Sequence, residues 1–198
     1  MQSVTFRNFL HLAAALGIPA IWLTLWSWGQ PLTCTCGTVR LWVGSIWSSQ
    51  NSQQIADWYT LAHIMHGLAV ILMGRLLFRR LSSNALYVIA IATGVGWEIF
   101  EHSDFVIRQF RYGTVNQGYT GDSVLNAVSD YIFMMSGFYL ARLLPTIWVA
   151  ALLISLESTA TVVARDGFIL EAIMLVHQFE AIEEWQLELK PDHLKNER

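Results

Sequence analysis

Apolar runs of membrane-spanning length alternate with short polar breaks along most of the chain, and this pattern predicts its elements. Residues Phe9 to Trp28 form a first span, in which Gly17 and Pro19 permit a kink and Trp22, Trp26 and Trp28 crowd the far end as an interfacial belt. A second span runs from Tyr59 to Phe78, with Asp57 or Thr60 placed to cap its start. The third runs from Asn84 to Phe100, the fourth from Ser123 to Leu144 and the fifth from Thr146 to Ala164. The tail from Phe168 to Trp185 is broken by His177 and Glu180, and so short a run reads as re-entrant or interfacial, or as a short sixth crossing. The loop from Gln30 to Asp57 is polar, but Leu41, Trp42, Val43, Ile46 and Trp47 inside it predict a segment on the interface that covers part of the bundle. The expected fold is an all-α, polytopic transmembrane helix bundle of five to six spans with a short interfacial or re-entrant segment, forming one integral membrane domain over residues 1–198.

Composition supports the membrane class. The chain is 54% hydrophobic and only 14% charged, with nine Trp and a mean hydropathy of +0.42, whereas about a quarter of a soluble domain is charged. With a net charge of -3 and no basic patch with interleaved aromatics, nothing in the chain points to nucleic acid as a partner; the expected partner is the lipid bilayer. The first apolar segment is too long for the apolar core of a signal peptide and is followed by no small-residue cleavage site, so it reads as a retained span. Cys34 and Cys36 are too close in sequence for an unstrained disulfide and read as two loop thiols, with a soft-metal turn or pairing between chains as the alternatives.

Arginines orient the spans. Arg75, Arg79 and Arg80 form the densest cationic cluster, which the positive-inside rule assigns to the cytoplasm together with the N-terminus and Arg7. The third span then runs outward and the fourth returns, ending at Arg142. A sixth crossing would bring Lys190, Lys195 and Arg198 inside as well, which tilts the tail towards that reading.

With this orientation the polar residues inside the spans fall at one depth. His63 and His66 lie in the first turns of the second span, Glu98 and Glu101 in the last turn of the third, and Asp122, Asn126 and Asp130 at the start of the fourth. At 1.5 Å per residue the set fits within roughly 12 Å of the outer boundary. Spacings of three or four residues make each group one stripe on its helix, and Gly67, Gly94 and Gly96 would let the helices approach beside them. Glu157, in the outer half of the fifth span, reaches towards the same layer.

Charged groups are expensive in lipid, so such a gathering is a functional-site hypothesis. Two imidazoles with carboxylates suit a divalent metal, zinc or another first-row ion, with an open position to activate water. His63, His66 and one of Glu98, Asp122 or Asp130 would be ligands, Glu101 the general base, and Arg108 or Arg111 would hold an anionic head group; Asn126 and Glu157 would complete the pocket. The structural readings are equally specific. Asp122 in Gly-Asp-Ser suits a helix N-cap, Asn126 and Asp130 suit bonds to a neighbouring helix, and Glu98 and Glu101 suit ion pairs with Arg108 or Arg111. The chain has no Gly-x-Ser-x-Gly elbow, His-Glu-x-x-His helix, phosphate loop or dinucleotide fingerprint. Glu98 with His102 also misses the Glu-x-x-His of di-iron bundles by one residue.

Cys34-Thr-Cys36-Gly37, Asn51-Ser52-Gln53, Asp57-Trp58-Tyr59-Thr60, His63-x-x-His66-Gly67, Trp97-Glu98, Glu101, Gly121-Asp122-Ser123, Asn126, Ser129-Asp130 and Arg165-Asp166 recur in that order in one family. On these motifs the chain resembles a proteobacterial family of small multi-pass membrane proteins catalogued as domain-of-unknown-function family 2585. The resemblance implies an inner-membrane protein and supplies no activity. His102 stands where the family is expected to have Asn, and Ala127 where it has Ser, which argues against His102 as a required ligand. A looser likeness, carried by His63, Glu98, Arg108 or Arg111, Asp122 and Asn126, runs to VanZ-like membrane proteins and implies a cell-envelope setting. The expectation is a multi-pass inner-membrane protein, N-terminus cytoplasmic, whose periplasm-facing pocket performs metal-dependent hydrolysis or transfer on a lipid-linked envelope substrate. The alternatives are a non-catalytic transporter or binding protein using the acids as proton or cation sites, and a structural subunit.

Overall fold

A computed structural model describes residues 2–113 and 118–192. All regular structure among them is helical. The long helices are α1 (Gln2–Ser27), α2 (Trp58–Leu76), α3 (Ser83–Glu101), α5 (Val124–Leu143) and α6 (Thr146–Ala164); the short ones are α4 (Asp104–Gly113), α7 (Phe168–Val176) and α8 (Glu180–Leu187). Five stretches, Thr5–Ser27 and the whole of α2, α3, α5 and α6, are long and apolar enough to cross a membrane. The chain is therefore a polytopic helix bundle in a lipid environment, with span limits close to those the hydropathy pattern predicts.

The helix ends follow local chemistry. Asp57 caps α2 in a reciprocal box with Thr60, each side chain meeting the other's backbone N–H. Ser82 caps α3. Ser123, not Asp122, caps α5, its hydroxyl accepting the Asn126 N–H at 3.2 Å, so the Asp122 carboxyl is released from the role its sequence context suggests.

The α5 helix is the axis of the bundle, 61% of its span window being buried against 17% for the peripheral α6. Leu68, Tyr87, Ala90, Tyr131, Met134 and Phe138 from α2, α3 and α5 form the core with Leu10, Ile21 and Leu25 of α1. Two glycines bring α2 and α5 into backbone contact. A Cβ on Gly67 would sit 2.0 Å from the Met134 carbonyl oxygen, and one on Gly137 would sit 2.3 Å from that of Ile64. Gly94 faces the Tyr131 ring, but Gly96 has no heavy atom within 4 Å of its Cβ position, so it serves no close approach. Gly17 makes room for Tyr131, whose hydroxyl donates to Ala14 O in the otherwise continuous α1.

The loop from Gln30 to Asp57 folds back over the end of α5. Val124 and Leu125 donate their N–H groups to Pro31 and Leu32, Ser123 N–H to Ser52, and the Asn126 amide to Gln54 O at 2.8 Å. These contacts satisfy orphan donors of the helix start and assign Asn126 to holding the loop rather than lining a pocket. Cys34 and Cys36 are joined as a disulfide, their Cα atoms 5.2 Å apart across the turn. This replaces the expectation of two loop thiols, because the turn brings the Cα atoms within bonding range despite the short spacing.

The tail does not make a sixth crossing in the described residues. The nine residues of α7 rise only about 13 Å, against a hydrocarbon core of roughly 30 Å. Glu157 fastens the start of α7 to the end of α6, accepting the Phe168 and Ile169 N–H groups at 3.0 and 2.9 Å. Glu157 is therefore a cap and not a pocket residue, because the uncapped turn after Gly167 presents orphan donors to it. Lys190 stays at the same end, over the Trp47 ring; Lys195 and Arg198 lie outside the described residues. The described basic residues then divide evenly, Arg7, Arg75, Arg79, Arg80 and Arg142 at one end against Arg40, Arg108, Arg111, Arg165 and Lys190 at the other, so their number alone does not orient the chain.

Candidate functional site

The start of α2, the end of α3 and the start of α5 meet at one end of the bundle, and their acids meet with them. Glu98, Glu101 and Asp122 are buried, and one carboxylate oxygen from each lies within 4.8 Å of the others. His63 adjoins this triad, Nδ1 lying 3.3 Å from Glu98 Oε1, while its Nε2 lies 3.8 Å from Asp130 Oδ2. The Thr60 hydroxyl donates to Asp130 Oδ1 at 3.0 Å. Tyr119 comes in from the loop before α5, its hydroxyl 2.9 Å from Asp122 Oδ1 and 3.3 Å from Glu101 Oε1; one proton cannot serve both well, and the shorter bond is to Asp122.

This leaves the acids short of positive partners. Glu98 Oε2 and Glu101 Oε2 are buried with no hydrogen-bond partner, although buried polar atoms are nearly always paired. The ion pairs with Arg108 or Arg111 that would have accounted for them are absent among the described residues. Arg111 instead donates Nε–H to Tyr119 O at 2.9 Å, and Arg108 is exposed on α4. A small cavity, with room for one body the size of a water molecule or an ion, opens between Glu101, Asp122, His63 and Asp130, with Tyr59, Tyr119 and Glu171 on its wall. Burial pushes the Asp122 carboxyl above its ordinary range, against the opposing influence of His102 and the Tyr119 hydroxyl. Burial and the Asp122 charge raise the Tyr119 phenol well above 10, so it remains a donor.

His66 is not brought into this group. Its Nε2 lies 3.0 Å from Thr93 Oγ1 on α3; a three-residue step turns it about 60° from His63, far enough to face a different helix. His102 is buried, but both its nitrogens are committed to backbone. Nδ1–H donates to Glu98 O at 2.6 Å, and Nε2 accepts the Asp122 N–H at 2.9 Å. His102 thus holds the two acid-bearing segments together with neither nitrogen left over; an Asn amide offers the same donor and acceptor.

Sequence reasoning missed Tyr119, Tyr59 and Glu171 as wall residues. Tyr59 donates to Asp166 Oδ2 at 2.8 Å, tying the start of α2 to the turn before α7. Both residues stood within the family-like motifs, which was the available signal. Glu171, inside the apolar run of α7, and Tyr119, just before α5, stood outside those motifs.

Fold and site together define a multi-pass membrane protein with a buried carboxylate centre at one end of its bundle. The chain belongs to the family described as "Protein of unknown function (DUF2585)", whose model matches residues 25–188 and so contains every residue of that centre. It is 44% identical over 172 residues to a UPF0314 protein of Paracoccus denitrificans, covering 87% of this chain and 88% of that one. A UPF0314 protein of Sphingopyxis alaskensis is 46% identical over 161 residues, covering 80% and 84%, and one of Brucella anthropi is 39% identical over 181 residues, covering 89% of each. The likeness to VanZ-like proteins is not shown by these matches. No solved structure matches the chain.

Proposed function

We propose that Glu98, Glu101 and Asp122 hold a divalent metal ion and that the site uses it to hydrolyse or transfer a group on a lipid-linked envelope substrate. The observation that carries this reading is the pair of buried oxygens without a hydrogen-bond partner, Glu98 Oε2 and Glu101 Oε2, in a triad that no Arg or Lys pairs with among the described residues. Buried charge of that kind is sustained by a cation. An oxygen-rich set with one imidazole at its edge suits Mn²⁺, Mg²⁺ or Zn²⁺; it differs from the two-histidine set expected from sequence, and it moves Glu101 from general base to ligand. Such an ion, when bound, lowers the pKa of a coordinated water. His63, with Asp130 behind it, is the group poised to take a proton at the cavity, and the exposed Arg108 is free to meet an anionic head group.

This reading takes the site end as periplasmic, in the inner membrane, with the N-terminus cytoplasmic. The Cys34–Cys36 disulfide lies at the site end, and disulfides persist in oxidising compartments. A transport path is less well supported. Every described acid lies in the site half of the molecule, from Asp57 through Asp130 to Asp192, so no acidic relay continues towards the other face. The test is release of a water-soluble product from extracted envelope lipids by full-length protein in nanodiscs supplied with Mn²⁺, Mg²⁺ or Zn²⁺. Product that requires metal and is lost in Glu101→Gln supports the reading. Absence of any product with all three metals contradicts it.

A further inference from the structure

The far end of the bundle carries an opposite imbalance. Arg7, Arg75, Arg79, Arg80 and Arg142 lie there, and among the described residues no Asp or Glu lies with them and none of these arginines makes an ion pair. Three of them surround a cavity of about 430 Å³ between the ends of α2 and α5 and the start of α3. That volume is within the range of small-molecule sites.

The cavity is built and not merely charged. Arg75 is fixed by donating to Ala141 O and Leu144 O at 2.9 and 2.8 Å, which satisfies the last carbonyls of α5 and leaves further N–H groups of its guanidinium available. Arg142 is steered over the Tyr87 and Phe138 rings, 5.8 and 5.7 Å from their centres. Arg79 completes the cationic side. Ser83 places the positive end of the α3 dipole on the wall. The rest of the lining, Ile71, Gly74, Leu81 and Leu86, is apolar.

We propose that this cavity binds the phosphate of an anionic phospholipid head group. Guanidinium groups match phosphate oxygens in geometry and charge, and basic pockets between transmembrane helices at the membrane surface suit such head groups. The surroundings favour a lipid over a free phosphate. Leu77 and Phe78, which precede Arg79 in the chain, and Leu143, which follows Arg142, stand exposed, where acyl chains attached to the bound phosphate would cover them. The site is independent of the carboxylate centre, being formed by the opposite ends of the same helices.

The experiment uses full-length protein and three probes, phosphatidylglycerol, phosphatidylcholine and inorganic phosphate, with retention read by native mass spectrometry. The test variant is Arg79→Gln combined with Arg142→Gln, since both side chains are exposed and neither makes a hydrogen bond among the described residues. Phosphatidylglycerol binds the wild type in preference to phosphatidylcholine, and the double variant binds it roughly 25-fold more weakly, at about fivefold per cation removed. Ser83→Asp provides a second variant that does not depend on losing arginine. It puts a like charge on the cavity wall while suiting the first turn of α3, so the helix is retained and phosphatidylglycerol binding falls. Equal binding of the two lipids, or unchanged phosphatidylglycerol binding in both variants, overturns the proposal. Displacement of phosphatidylglycerol by inorganic phosphate alone overturns the lipid assignment and makes the ligand a soluble phosphate.

Discussion

Gly67→Ala is the sharpest test of how the bundle is held together. The added methyl would lie 2.0 Å from Met134 O and 2.5 Å from Phe138 N, both backbone atoms of α5. An ordinary carbon-to-oxygen contact is about 3.3 Å, so α2 and α5 must part by roughly 1.3 Å. Overpacking of a well-filled core costs about 1–3 kcal/mol, and the upper end applies because backbone cannot rotate away. The Gly to Ala gain in helix propensity returns about 1 kcal/mol, which leaves a net loss of roughly 2 kcal/mol. At about 2–4 °C per kcal/mol for a chain of this size, Tm should fall by roughly 4–8 °C. Gly96→Ala is the matched control, since nothing lies within 4 Å of its Cβ position, and its Tm should hold or rise slightly. Thermal unfolding of both variants in one detergent at one scan rate reads the difference. Equal Tm values for the two would refute the close approach of α2 and α5 as the role of Gly67.

Three further outcomes follow from particular contacts. His102→Leu strands the Asp122 N–H and Glu98 O and should lower stability by about 1–3 kcal/mol, while His102→Asn should restore most of it; chemical denaturation of the two variants checks this. His66→Ala should leave metal content at the wild-type level, because the ring faces Thr93 and not the carboxylates. Asp166, outside the spans, has its pKa raised from 3.8 to about 6, chiefly by burial. A raised folded-state pKa means the native state binds more protons than the unfolded state between roughly pH 4 and 6, so this residue's contribution to stability falls as pH rises through that window. Asp166→Asn should therefore gain stability over wild type at pH 7 and show no gain near pH 4, as read by Tm at both pH values.

Hydropathy made the spans legible because lipid demands runs of apolar residues of fixed length, and helical rise alone put His63, Glu98 and Asp122 at one depth. Finer assignments depended on which neighbour each side chain meets. Gly-Asp-Ser offers two caps, and the backbone used Ser123. Gly67 and Gly96 look alike in sequence, but only Gly67 faces a helix, and its counterpart Gly137 lies in a segment with no special pattern. Glu157 sits at the expected depth on α6, yet the short α7 turned back to meet it. Tyr119 and Glu171 reach the cavity from the residues just before α5 and from the first turn of α7, and no local periodicity encodes the packing that brings them there.

The most direct test of the carboxylate centre is elemental analysis of full-length protein after equilibrium dialysis against Mn²⁺, Mg²⁺ and Zn²⁺ in turn. About one equivalent of one of these metals should remain on the wild type, and Glu98→Gln, Glu101→Gln and Asp122→Asn should each remove most of it at an intact fold. Wild type that retains none of the three metals, or variants that retain as much as wild type, would contradict a metal centre at these residues.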